Sequence, residues 1–236
     1  DLVSVHQIWM STLPDYYCVA TEEMRDFTAK FGISREKILS TGIPVKPVYS
    51  EERRTKAELR KSLNWDTQKT TLIAVGSKRV NHLLESLDVI NHANFDLQLI
   101  LVAGGADNLY DKMIQTDWHL PVKVYNFTDE LPIMLLASDM IITKAGGLIT
   151  SESLAAGLPM LLIDVLPGQE EGNAQYIVEN NAGALIEKPL DVLYALKHWL
   201  MDDQKELKNV TNKMKIIGKP HSSLDIADLI IAQLTK

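Results

Sequence analysis

A chain of 236 residues is long enough for one to two domains and a sizeable core. Hydrophobic residues at 46% and charged residues at 23% exclude a disordered chain, and a single cysteine, Cys18, excludes a disulfide scaffold or a cysteine-based zinc site. The 24 cations and 31 carboxylates leave a net charge of −7, which speaks against nucleic acid as partner, because phosphate backbones need a dense basic footprint. In chain order, strands are predicted over residues 16–20, 70–75, 97–103, 122–125, 140–143, 159–163 and 184–186. Helical patterns fall over 22–31, 81–92, 107–115, 130–137, 149–156, 173–180 and 190–201, followed by 204–217 and 223–234. The alternation implies an α/β fold, a parallel sheet with helices on both faces. No apolar run reaches the roughly 18 residues of a membrane span; the best, over 158–166, is broken by Pro159 and Asp164. The start at Asp1, with neither Met nor a signal pattern, reads as a cut.

Charge is unevenly spread. Residues 46–61 carry six cations against three carboxylates, the pattern of a solvated helix face or of attraction to an anionic membrane. Residues 126–174 carry seven carboxylates and one cation, Lys144.

In a parallel sheet, ligands bind outside the carboxyl ends of the strands. Four loops there stand out: Gly76-Ser77-Lys78-Arg79, Gly104-Gly105, Lys144-Ala145-Gly146-Gly147, and Pro167-Gly168-Gln169-Glu170-Glu171-Gly172-Asn173. In the third, paired glycines before a helix let an anion such as a diphosphate approach backbone N–H groups at the positive end of the dipole. The same pair is also an ordinary tight turn. Glu152, in the first turns of that helix, is placed to accept from a sugar diol or simply to complement the dipole. In the fourth loop, Gln169, Glu170, Glu171 and Asn173 offer the donors and acceptors that a polyhydroxylated ligand needs, or a plain helix cap.

Several stretches carry a family resemblance: Ile142-Thr143-Lys144-Ala145-Gly146, Ser151-Glu152-Ser153-Leu154, Leu158-Pro159 and Pro167 through Asn173. With Val5-His6-Gln7-Ile8-Trp9, Asp15 through Thr21, Thr41-Gly42-Ile43-Pro44-Val45 and Asp117-Trp118 through Phe127, they resemble monogalactosyldiacylglycerol synthases and processive diacylglycerol glucosyltransferases. The glycosyltransferase that makes lipid II is a more distant relative. The resemblance implies the donor half of a two-domain glycosyltransferase with facing Rossmann-like halves, residues 42–236, preceded by a remnant of the acceptor domain over 1–41. It further implies inverting, metal-independent transfer of a hexose from a UDP-sugar to a lipid acceptor such as diacylglycerol, with no cofactor. The protein would be cytoplasmic and peripheral to the membrane, with most of its acceptor domain outside this chain.

Carried over motif by motif, the resemblance assigns the uracil to the backbone at Phe127 and Thr128. The diphosphate falls to Lys144, Ala145, Gly146 and Gly147, with Gly76 and Ser77 nearby. The ribose falls to Glu152, the sugar hydroxyls to Gln169 and Glu170, and loop or phosphate support to Asn173. The family usually has a glycine-rich loop where this chain has Gly76-Ser77-Lys78-Arg79-Val80. The Lys78 and Arg79 side chains either obstruct that approach or replace amide contacts with charge. The base would come from the acceptor half; His6, nearest to it, is the candidate within this chain, with a structural histidine as the alternative. Other readings are a donor-binding subunit completed by a separate acceptor chain, and a sugar-nucleotide epimerase.

Overall fold

The structure, a computed structural model, describes every residue except Ser4, Arg79, Gln169 and Lys236. It opens with a small unit. β1 (Tyr17–Val19) leads into α1 (Glu22–Ala29) and then β2 (Ile38–Ser40), which pairs in parallel with β1. Helix α1 begins where the Thr21 hydroxyl accepts from the Met24 N–H at 3.1 Å, with Glu22 and Glu23 at the positive end of the dipole. Val19, Met24, Ile33 and Ile38 form a separate small core beneath it.

The connection holds α2 (Val48–Glu51) and α3 (Lys56–Ser62). Helix α3 is opened by a capping box in which Thr55 and Glu58 satisfy each other's backbone N–H groups. Its basic residues are largely structural. Arg60, 6% exposed, donates to the Ala137 carbonyl at 2.8 Å, the Lys69 carbonyl at 3.1 Å and Asp139 at 2.5 Å. Lys56 also reaches Asp139, at 3.0 Å, and the Thr71 N–H donates to the same carboxylate at 2.8 Å. The basic stretch is therefore partly a clamp joining α3 to the main sheet.

That sheet holds β3 (Thr70–Val75), β4 (Leu97–Val102), β5 (Val122–Tyr125), β6 (Met140–Thr143), β7 (Met160–Leu162) and β8 (Gly183–Leu185), all parallel, in the order β5-β4-β3-β6-β7-β8. Between them run α4 (Leu83–Asn91), α5 (Asp107–Gln115), α6 (Leu131–Ala137), α7 (Gly147–Ala155) and α8 (Glu171–Glu179), and α9 (Asp191–Leu200) follows β8. Leu72 and Ala74 point to one face with α4, α5 and α9; Ile73 and Val75 point to the other with α6, α7 and α8. At the centre of the sheet both faces are buried, which is why β3, β4 and β6 read as mostly apolar runs. The chain runs outward from β3 through β4 to β5 and then returns to β6, so the winding reverses between β3 and β6.

Two helices end the chain, α10 (Lys205–Ile217) and α11 (Ser222–Leu234). Helix α11 turns back toward the first unit: the Ser222 hydroxyl accepts from the Val45 N–H at 3.1 Å and donates to the Ile43 carbonyl at 2.9 Å. Its Ile226, Leu229 and Ile230 line a groove with Tyr16 and Cys18.

One glycine ties fold to loop position. Gly104 has φ +66°, and a Cβ there would lie 2.3 Å from the Gly76 carbonyl oxygen. Gly104→Ala is expected to cost about 1–3 kcal/mol in backbone strain alone, with more from displacing Gly76, read as a lower urea midpoint.

Candidate functional site

The reversal point brings two of the four loops together. The Gly76 N–H donates to the Val102 carbonyl at 2.8 Å, extending the ladder one residue past β3, and the Thr143 hydroxyl donates to the Val75 carbonyl at 3.1 Å. The chain after β3 and the turn after β6 thus leave the sheet as neighbours.

Helix α7 begins two residues earlier than the sequence pattern suggests, with Gly146 as its N-cap and Gly147 as its first residue. No side chain caps it. The Thr150 and Ser151 hydroxyls bond backwards, to the carbonyls of Gly146 at 2.7 Å and Gly147 at 2.8 Å. The first-turn amides therefore lack the usual side-chain acceptor at the positive end of the dipole. The Asp1 carboxylate lies nearby, its Oδ1 3.2 Å from where a Gly147 Cβ would be.

Lys144 does not stand free over this turn. Its ammonium pairs with Glu170 Oε1 and lies 3.4 Å from where a Gly146 Cβ would be. Glu170 is 3% exposed, and its other oxygen faces the Leu166 N–H at 3.4 Å. Asn173, 1% exposed, accepts from the Leu2 N–H at 2.8 Å and donates to the Ala145 carbonyl at 2.9 Å and Asp1 at 3.1 Å. The expectation of a loop rich in unshielded polar groups is corrected for these two residues. A carboxylate and an amide at the core's edge must be satisfied internally, and both are. Glu171 is exposed and accepts from the Gly168 N–H at 2.9 Å. Gln169, like Arg79, lies outside the described residues.

Glu152 sits one turn and a half into α7, half-buried against α2. Burial raises its carboxyl pKa above the usual range, while contact with Tyr49 and the charge of Lys46 pull the other way. The buried Tyr49 hydroxyl falls short of full hydrogen-bond geometry, and burial together with the Glu152 charge drives the phenol's pKa upward. Sequence reading missed Lys46 and Tyr49, whose only signal was a basic run assigned to a helix face.

The remaining candidates lie farther out. Phe127, 72% exposed, and Thr128, whose hydroxyl accepts from the Glu130 N–H at 3.1 Å, follow edge strand β5. Three strand spacings, roughly 14 Å, separate that edge from β6. Ser77 and Lys78 line a cavity of about 450 Å³ with Asn81, Asp107, Asn108 and Lys112, on the α4 and α5 side. His6 is exposed and accepts from the Ile8 N–H at 3.2 Å through Nδ1. No group of three or more metal-ligating side chains occurs among the described residues.

Comparison with known proteins agrees with this architecture. Residues 1–45 match monogalactosyldiacylglycerol (MGDG) synthase, and residues 70–229 match the glycosyltransferase family 28 C-terminal domain. Monogalactosyldiacylglycerol synthase 3, chloroplastic, of Arabidopsis thaliana is 30% identical over 235 residues, covering 96% of this chain and 50% of that protein. The chloroplastic synthase of Spinacia oleracea is also 30% identical, over 96% of this chain and 45% of its own length. The chain thus spans about half the length of these relatives. Among solved structures, the UDP-GlcNAc 2-epimerase of Neisseria meningitidis bound to UDP-GlcNAc gives a TM-score of 0.68 at 13% identity, covering 93% of this chain and 61% of that one. HepE of Anabaena in complex with UDP-glucose gives 0.59 at 15% identity, over 92% and 64%. MurG of Acinetobacter baumannii gives 0.57 at 17% identity, over 83% and 58%. These likenesses show the fold, with this chain matching about three fifths of each of those chains. Because the domain match spans more than half of the sequence, the chain belongs to glycosyltransferase family 28 through its C-terminal domain.

Proposed function

We propose that this chain is the donor half of an inverting, metal-independent hexosyltransferase that takes a UDP-sugar and serves a lipid acceptor such as diacylglycerol. The observation that carries the reading is the uncapped, glycine-started α7 at the point where the sheet winding reverses, beside Gly76. Ligands of open α/β sheets settle in that crevice, and diphosphates settle on such helix ends. The solved neighbours in complex with UDP-glucose and UDP-GlcNAc support a nucleotide-sugar as ligand class.

In this reading the amides of Gly146 and Gly147, with Ala145 behind them, hold the diphosphate, and Lys144 adds charge where the departing UDP becomes more negative. Glu152 accepts from the ribose hydroxyls. The backbone at Phe127 and Thr128 meets the uracil, at a distance suited to an elongated nucleotide. Gln169 reads the sugar, while Glu170, held by Lys144, and Asn173 fix the loop around it. The remnant ends near residue 41, the donor domain begins at 42, and most of the acceptor-binding half lies outside this chain. His6 is the candidate base within it. Among the described residues no helix is long and apolar enough to cross a membrane; contact with the cytoplasmic face of a bilayer is part of the proposal.

Glu152→Gln tests the site. The charge-assisted bonds it removes are each about 1.5–3 kcal/mol, so UDP should bind roughly ten- to a hundredfold more weakly. Because burial raises the Glu152 pKa, ionising the carboxyl costs the folded state stability at neutral pH, and that penalty is relieved as pH falls. The variant should therefore be at least as stable as the parent above the ordinary carboxylate range. Acidification should weaken UDP binding in the parent, as Glu152 protonates, more than in the variant. Unchanged UDP affinity in calorimetric titration would remove Glu152 from the site.

A further inference from the structure

The segment that departs from the family's glycine-rich pattern, Gly76 through Val80, is followed by a tie that sequence reading did not single out. Asp164, just past β7, receives the Asn81 N–H at 2.7 Å, the His82 N–H at 2.9 Å and the His82 imidazole Nδ1. Its side chain is 6% exposed and its backbone is left-handed, with φ +48°. Strand β6 lies between β3 and β7, so this carboxylate spans from one flank of the α7 turn to the other. The loop after β3 is thereby held by the first residues of the loop that carries Glu170.

We propose that Asp164 and His82 are positioning residues for the nucleotide site, anchoring the chain at Asn81 and His82 on the flank of the α7 turn, so that nucleotide affinity follows the charge of a histidine that touches no nucleotide. This rests on the donor-site reading above. A charge-assisted hydrogen bond is about twice as strong as a neutral one, so the tie is tightest when His82 is protonated. The groups that face His82 are Asp164, Glu85 on α4, and Glu187 and Lys188, which line a cavity of about 370 Å³ beside it with the buried, unpartnered Ser86 hydroxyl. Asp164 is the main cause of the raised His82 pKa, by hydrogen bond first and charge second, with Glu85 adding to it. The sign follows: the added hold is full below the ordinary histidine range and is lost as pH rises through the raised value.

The test is calorimetric titration of the 236-residue chain with UDP between pH 5.5 and 9, in parallel with His82→Asn, whose amide keeps a neutral donor near the same place. Asp164→Asn, with its melting temperature recorded, is the second variant. UDP and Glu152 titrate too, so the quantity of interest is the affinity ratio of parent to His82→Asn at each pH. It should fall from about five- to tenfold at pH 5.5 to about unity at pH 9, while the melting temperatures above pH 8 coincide. Asp164→Asn should weaken binding at every pH and flatten the same ratio. A constant ratio in chains that bind UDP would overturn the positioning role alone. No binding of UDP by the parent at any pH would overturn the donor-site reading and this proposal with it.

Discussion

Asp139→Ala is expected to destabilise the chain by about 3–5 kcal/mol, the cost of leaving a buried charge without its partner. Arg60 is almost wholly enclosed, and its bonds to the Ala137 and Lys69 carbonyls satisfy donors without neutralising its charge. Asp139 supplies that neutralisation at 2.5 Å and receives Lys56 and the Thr71 N–H as well. Its loss orphans the guanidinium and frees the N–H at the start of β3. The pair joins α3 to the entrance of β6, so unfolding should remain one transition at a lower urea midpoint. Arg60→Met with Asp139→Leu should recover much of the loss, since a packed apolar pair replaces two desolvated charges. A loss under about 1 kcal/mol would mean that the clamp behaves as an exposed ion pair.

Lys144→Met should cost a comparable amount, about 3–5 kcal/mol, because it leaves the 3% exposed Glu170 carboxylate unpaired. The double variant Lys144→Met with Glu170→Gln should restore most of that stability, giving a coupling of about 1–3 kcal/mol in a double-mutant cycle. It should not restore UDP binding. Lys144 is the one cation between residues 126 and 174 and sits on the Gly146 turn, so its charge is proposed to serve the diphosphate. Stability recovered together with full UDP affinity would assign Lys144 a structural role only.

Much of this was legible in the sequence. Continuous apolar runs with intervening helical periodicity gave the parallel sheet because β3, β4 and β6 are dry on both faces. The Gly146-Gly147 pair marked the start of α7. Other parts were hidden for physical reasons. Strand β2 is three residues long, too short for a period to register, and its pairing with β1 is a tertiary fact. The burial of Glu170 and Asn173 could not be read locally, since their partners Lys144, Ala145 and Leu2 lie 26, 28 and 171 positions away. Asp164 reads as a loop acid until a partner 82 positions away is found on it. Charge runs likewise mislead when a member is drawn inward: Arg60 is buried, while Lys56 reaches Asp139 from the surface and Lys46 lies near Glu152.

The central claim is that a nucleoside diphosphate binds at the α7 turn beside Gly76. Backbone amide NMR of the nitrogen-15-labelled chain during titration with UDP tests it most directly. The largest saturable shifts are expected at Gly146, Gly147, Leu148 and Gly76, with smaller ones at Phe127 and Thr128, and UDP should outcompete uridine at the same amides. Shifts confined to other loops, or no saturable shift at Gly146 and Gly147, would contradict it.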